Sequence, residues 1–179
     1  RQKHFHSGWV DLGLYDQGIW QMSRFLPLYN TVKERFLWGD HLTLTLPFIA
    51  PLFWIWDNVR ILLIFQAVWI SISTLAVYKL VLLRKFPHFT ALVVSIVYSL
   101  FYGIQYAVFF DFHPVVLGTG LVVWMCLFLE QKKKRLFWFS VILLLFTQEN
   151  MGIALVGIAV IYAFQAQFRK TAVILLVLG

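Results

Sequence analysis

Ile61–Leu83 reads ILLIFQAVWISISTLAVYKLVLL, with no charge until Lys79. A helix that crosses a bilayer needs about 20 mostly apolar residues, and a lysine near a helix end can carry its ammonium back to the interface. The stretch predicts a membrane-spanning helix, and the chain on its C-terminal side is built the same way. Phe89–Phe110 carries no charge at all. The next run opens on Pro114, which suits a first helical turn because its missing N–H would have had no partner there. Leu136–Thr147 and Met151–Phe168 are parted by Gln148-Glu149-Asn150 and are together too long for one span, so they predict two helices meeting at a tight turn. Thr171–Gly179 begins another. Spanning strands are not expected, because these runs far exceed the roughly 10-residue alternating segments of an outer-membrane barrel. The fold class is therefore an all-α polytopic membrane bundle, with spans at about 61–83, 89–110, 114–130, 136–147, 151–168 and 171–179.

Composition agrees. Sixty-one per cent of residues are apolar and 13% charged, against about 45–50% and 25% in soluble domains. A net charge of +7 could suggest nucleic acid in a soluble protein, but here the basic residues fall between apolar runs. Arg84-Lys85, Lys132-Lys133-Lys134-Arg135 and Arg169-Lys170 occupy every second loop, while the alternate loops hold Asp111 and Glu149 and no Lys or Arg. That is the positive-inside pattern and predicts that the three basic loops face the cytoplasm. No nucleic-acid partner is expected; the lipid bilayer is. The single Cys126 can form no internal disulfide. Arg1 is not an initiator Met and the chain stops inside an apolar run, so a fragment of a longer membrane protein is expected.

This topology puts residues 1–60 outside, as a first loop. Val10–Phe25 predicts an amphipathic helix with Leu12, Tyr15, Ile19 and Met22 on one face. Leu42–Trp56 is apolar but short for a span and interrupted by Pro47 and Pro51. With Trp9, Trp20, Trp38, Trp54 and Trp56 in the loop, it reads as an interfacial or re-entrant helix, since Trp favours the lipid–water boundary. Were it to span instead, residues 1–40 would be cytoplasmic.

The carboxylates then sort unevenly. Asp11, Asp16, Glu34, Asp40, Asp57, Asp111 and Glu149 fall on the outer side, and only Glu130 falls inside. An Asp deep in lipid costs about 2.5–3.5 kcal/mol, so such residues normally face a polar cavity. An outward cavity lined by carboxylates under interfacial helices is the functional expectation. Plainer roles stay open: Asp11 and Asp40 as helix N-caps, His41 and His113 as interfacial side chains holding carbonyls, Asp111 and Glu149 as solvated loop residues. The five histidines match no metal-ligand spacing, and no phosphate-binding, dinucleotide or nucleophile-elbow motif occurs. From these residues alone, enzyme and transporter are both open.

Three clusters are more specific. They are Asp11-Leu12-Gly13-Leu14-Tyr15-Asp16-Gln17-Gly18-Ile19-Trp20, then Gly39-Asp40-His41 with Ala50-Pro51-Leu52, then Asp111-Phe112-His113-Pro114. In this order they resemble a family of bacterial and archaeal membrane proteins known as domain of unknown function 2079, from Asp11 to about Gly157. That family looks distantly similar to C-type glycosyltransferases, such as the protein mannosyltransferases and the aminoarabinose transferase of lipid A. The order of loop Asp, interfacial helices, span and basic residues is the same here.

The resemblance implies a helix bundle of the C-type glycosyltransferase kind in the plasma membrane of a bacterium or archaeon. Its active site would face outward and move a sugar from a polyprenyl-phosphate carrier to an acceptor. The family's loop Asp falls on Asp11, as general base, with Tyr15 one helical turn later. Asp16, Asp40, His41, Asp111, His113 and Glu149 would complete the cavity. Arg24, Lys33, Arg35 or Arg60 would hold the phosphate leaving group. Two departures stand out. Leu12 and Gly13 follow Asp11, so the strict Asp-Glu or Asp-x-Asp pair is absent, which counts against a divalent metal cofactor. Val115 stands where the family often has Glu. The chief rival is a transporter or flippase for a lipid-linked or small anionic solute; a non-catalytic assembly partner is a third reading.

Overall fold

The first loop packs Leu12, Ile19, Leu37, Leu46 and Phe53 against Leu62, Phe112 and Leu117 in one hydrophobic cluster, and polar side chains set its turns. The computed structural model describes residues 9–39 and 41–179, with side chains described from Leu12 onward. α1 (Trp9–Ser23) buries Leu12, Tyr15 and Ile19, the face the spacing predicts, and Leu14 beside them. It stops two residues before the predicted Phe25. Phe25 turns left-handed at φ 56°, and the Leu26 N–H reaches back to the Gln21 carbonyl at 2.9 Å. This is a left-handed helix cap made without the glycine that usually supplies it.

A two-stranded antiparallel hairpin follows, β1 (Tyr29–Asn30) against β2 (Arg35–Phe36), which the sequence reading did not anticipate. Its turn is chemical. Buried Asn30 accepts the N–H groups of Val32 and Lys33 on its own side-chain oxygen. α1 grips the hairpin through Gln17 and Gln21, whose amides both donate to the Tyr29 carbonyl. The predicted helix at Leu42–Trp56 is two short ones, α2 (Leu46–Ile49) and α3 (Leu52–Ile55), parted by Ala50-Pro51. Even taken together, 46–55 extends only about 15 Å at 1.5 Å per residue, half of the roughly 30 Å hydrocarbon layer.

α4 (Arg60–Leu83) is the span that Ile61–Leu83 predicts. Among the described residues it is the one helix long and apolar enough to cross alone, and only 28% of its most apolar window is buried. The predicted 89–110 span is broken. α5 (His88–Leu100) and α6 (Tyr102–Phe109) meet at a 49° bend. At the bend, Phe101 is extended (φ −57°, ψ 130°), and the Gln105 amide donates to the Ser99 carbonyl that the break strands. Gly103 leaves room for the Phe101 ring, which would lie 2.8 Å from a Cβ there.

α7 (Pro114–Glu130) keeps the predicted bounds, with extended His113 ahead of it as proline requires of its predecessor. α8 (Lys134–Thr147) starts two residues early. The predicted 151–168 helix is corrected too. A 3₁₀ turn at Glu149–Met151 leads into α9 (Gly152–Ala163), which ends where Gln165 turns extended, five residues short of Phe168. α10 (Arg169–Leu178) follows. At 1.5 Å per residue, α8, α9 and α10 measure about 21, 18 and 15 Å, less than a straight crossing requires.

Hydrogen bonds give the packing register. Gln66 meets His113, Trp69 donates to the Leu117 carbonyl at 2.9 Å, and Arg84 pairs with Glu130, so α4 and α7 run parallel in register. α5 returns antiparallel along α4, with Ser73 on Tyr98 and Tyr78 on His88. Close approach depends on small residues. A Cβ at Gly120 would lie 2.5 Å from the Trp69 indole nitrogen, and one at Gly118 would lie 2.8 Å from the Met151 sulfur. Leu121, Met125, Val141, Leu144, Leu155 and Leu175 form the core among α7, α8, α9 and α10. The outer surface is strongly apolar: Ile64, Val68, Ile72 and Leu75 on α4 and Phe89, Leu92, Val97 and Leu100 on α5 are exposed. A soluble monomer rarely shows a continuous apolar face of this kind, and lipid is its natural solvent.

The alternation of helices puts Arg84-Lys85, Lys132–Arg135 and Arg169-Lys170 at one end of the bundle. The first loop, the 110–113 link and the 148–150 turn lie at the other.

Candidate functional site

At this second end, one amide organises three helices. Gln66 is 1% exposed on α4. Its nitrogen donates to the Ala107 carbonyl at 3.0 Å, near the end of α6, and its oxygen accepts the His113 N–H at 3.0 Å, at the start of α7. Helix ends leave such groups without partners, and Gln66 supplies one to each. The 110–113 link between them is thereby fixed. Phe112 is fully buried, and the His113 ring turns back on the Asp111 carbonyl at 3.1 Å. Asp111 is only 3% exposed, and among the described residues its Oδ2 has no hydrogen-bond partner. Buried carboxylate oxygens are normally bonded, so this one marks a place where a further polar group belongs.

α1 closes over this link. Tyr15 meets the Phe112 ring edge-on at 6.0 Å and the His113 ring at 5.9 Å, so Tyr15 and His113 come together on the link that contains Asp111. Asp11 lies on the same helix one turn earlier, the i, i+4 relation that puts two residues on one face; its side chain lies outside the described residues. Asp40 lies outside them altogether.

Further along, Asp16 and Trp20 on α1 and Arg24 just past its end follow at four-residue spacing. Arg24 bonds Asp57 Oδ2 at 2.9 Å and the Trp20 indole donates to Oδ1 at 3.0 Å. Arg24, a predicted phosphate ligand, therefore already has a carboxylate partner. Burial, with the Asp57 charge beside it, pushes the Asp16 carboxyl up to about 6. A carboxyl titrating there can exchange protons near neutral pH, as acid–base catalysis needs.

His41 and Glu149 also meet, across 108 residues. The imidazole Nδ1 lies 2.6 Å from Glu149 Oε1, and Oε2 accepts the Leu42 N–H at 3.2 Å. The hydrogen bond from His41, more than any other contact, holds the Glu149 carboxyl below its ordinary value. Beside this tie, the Thr45 N–H donates to the Phe146 carbonyl at 3.2 Å. The pair is half-exposed and acts as a clasp between the first loop and the bundle.

Of the other predicted phosphate ligands, Lys33 and Arg35 stand on the hairpin and Arg60 begins α4. Among the described residues no group of three His, Cys, Asp or Glu side chains is placed to hold a metal ion. Sequence reasoning missed Gln66 and Asp57. Gln66 had a visible signal, as the one amide in an otherwise apolar span. Asp57 was seen only as one more outer carboxylate.

An apolar groove runs down from the same end between α4 and α8. Its upper part, about 300 Å³, is lined by Thr45 and Thr147 at the top and by Phe65, Trp69 and Leu143 below. A lower cleft of about 340 Å³ shares Trp69 and Leu143 with it and continues to Phe128.

The model of a family described as predicted membrane protein (DUF2079) matches residues 1–179. No curated protein and no solved structure matches the chain.

Proposed function

We propose a function from one premise: this chain belongs to the DUF2079 family of predicted membrane proteins. It is the polytopic membrane part of a glycosyltransferase that takes sugar from a polyprenyl-phosphate carrier on the outer face of the membrane. The observation that carries this reading is buried Asp111, its Oδ2 without a hydrogen-bond partner among the described residues, in the link that Tyr15 covers through the Phe112 and His113 rings at the acidic end of the bundle. The apolar groove descending from that end suits the isoprenoid chain of such a carrier. Asp11 is the general base that takes the acceptor's proton, and Asp16, titrating near 6, is the alternative base on the same helix. Arg24, which bonds Asp57, and Lys33, Arg35 and Arg60 are the candidate cations for the phosphate leaving group.

Turnover of a polyprenyl-phosphate sugar by the purified full-length protein tests this. Asp11→Asn keeps helix-capping ability, since Asn and Asp cap about equally well, and loses only the proton acceptor, which contributes about 10²–10⁴-fold. Activity within about threefold of wild type removes Asp11 as base, and Asp16→Asn then becomes the deciding variant.

One observation favours the transporter reading. Discontinuous helices commonly frame a transport site, and α5 and α6 are such a pair, bent by 49°. Wild type that turns over no carrier but exchanges solute in liposomes would establish that function instead.

A further inference from the structure

At the opposite end of the bundle, two helices begin on the charge that helices disfavour there. α8 opens on Lys134-Arg135 and α10 on Arg169-Lys170, with no acidic residue in either first turn and no side chain capping either N-terminus. A helix N-terminus carries about half a positive charge and N–H groups without partners, so added cations oppose it and an anion relieves it. Both N-termini border one cleft of about 420 Å³, lined by Lys132, Lys134, Lys170, Phe128, Phe137 and Trp138 among others. Among the described residues no carboxylate lines it. The nearest acidic residue in sequence, Glu130, is taken by Arg84. Among the described residues, none of the three lysine ammonium groups enters an ion pair.

We propose that this cleft binds the phosphate of an anionic membrane phospholipid, with an acyl chain lying against Phe128 and Trp138. Three ammonium groups and two uncapped helix starts call for an oxyanion. The aromatic walls are superfluous for a free inorganic ion and suited to a lipid. Phe128 also lines the lower end of the apolar groove along α7, which gives a chain somewhere to continue. The site is independent of the chemistry proposed for the other end.

The test uses the purified full chain in phosphatidylcholine nanodiscs, to which phosphatidylglycerol or inorganic phosphate is added, with thermal unfolding and retained lipid as readouts. Phosphatidylglycerol should raise the unfolding temperature and stay bound; inorganic phosphate should do neither. A lysine near an anionic headgroup is worth about fivefold in affinity, so Lys134→Gln with Lys170→Gln should weaken phosphatidylglycerol about twenty-five-fold. The paired Arg variants should restore it. Lys85→Gln with Lys133→Gln removes the same charge outside the cleft and should change affinity less than about threefold. In pure phosphatidylcholine the Lys134/Lys170 Gln pair should unfold no earlier than wild type, because two cations have left helix N-termini. Equal losses in both Gln pairs would reduce the effect to general surface charge and overturn the proposal. So would full stabilisation by inorganic phosphate, no preference for phosphatidylglycerol, or an unstable cleft variant in phosphatidylcholine.

Discussion

Replacing Gln66 by Leu keeps the volume of the side chain roughly constant and removes its hydrogen bonds to Ala107 and His113, with a longer one of 3.5 Å to the Asp111 carbonyl, which the His113 ring also serves. The Ala107 carbonyl and the His113 N–H would both be left in a site where Gln66 itself is 1% exposed. In a soluble core each orphaned group costs about 1–3 kcal/mol, which sums to about 2–6. Interhelical hydrogen bonds in membranes measure lower, averaging about 0.6 and reaching about 1.7 kcal/mol, because the unfolded chain in lipid also finds partners. These two groups lie at a helix end and a helix start, where no backbone partner takes over, so the upper part of the membrane range applies, about 2–3 kcal/mol for the pair. Gln66→Glu turns a buried carboxyl toward the Ala107 and Asp111 carbonyls, so at neutral pH it either ionises against them or is held protonated at a cost, and it should lose at least as much as Gln66→Leu. Gln105→Leu is the contrast, since that exposed amide serves only Ser99. Reversible unfolding in bicelles, monitored by circular dichroism, gives the three numbers. A loss below about 0.5 kcal/mol for Gln66→Leu, or one no larger than for Gln105→Leu, would refute the claim that one amide fixes the 110–113 link.

Three further outcomes are expected. Lys85 and Lys132 occupy left-handed positions at φ 64° and 57° after α4 and α7; a non-glycine residue pays about 1–2 kcal/mol there. Lys85→Gly should therefore raise stability by about 0.5–1 kcal/mol in the same unfolding assay, after the lost helix-end cation is subtracted. Asp16 has a folded pKa of about 6, raised above its ordinary 3.8, so the folded state holds its proton more tightly and stability falls as pH rises through that interval. Asp16→Asn should match wild type below the ordinary carboxylate range and exceed it above pH 6, as a pH series of melting temperatures would record. Glu149 is shifted the opposite way, chiefly by its hydrogen bond from His41. Its contribution is present above the ordinary carboxylate pKa and disappears on acidification through the depressed folded value. Glu149→Gln should flatten that acid limb, and limited proteolysis near residues 41–45 should increase in the variant at neutral pH.

The sequence disclosed those elements whose limits are written in charge or proline. α4 and α7 were legible because long apolar runs end on Arg84 and Lys132 and one of them begins on Pro114. The break at Phe101 was not, because Leu100-Phe101-Tyr102 contains no breaker; what strands the Ser99 carbonyl is answered by an amide six residues later, a contact rather than a propensity. The end of α9 at Ala163 has the same character, with Phe164-Gln165-Ala166 reading as helix. The hairpin at 29–36 depends on Asn30 folding back on its own turn and on two glutamines of α1. Of the site, the shared end of Asp111, His113, His41 and Glu149 followed from alternation of basic loops. The direct pairing of His41 with Glu149, and the capture of Arg24 by Asp57, depend on distances that no pattern of residues encodes.

The clasp between His41 and Glu149 also sets an order of events. Chain emerges from the ribosome at about 5–20 residues per second, and the two partners are 108 residues apart. The first loop therefore exists for about 5–20 seconds before the turn that holds it has been made. Phe48, Trp54 and Ile55 stay exposed after the clasp has closed, so what waits for it is the position of the loop on the bundle and not the burial of these side chains.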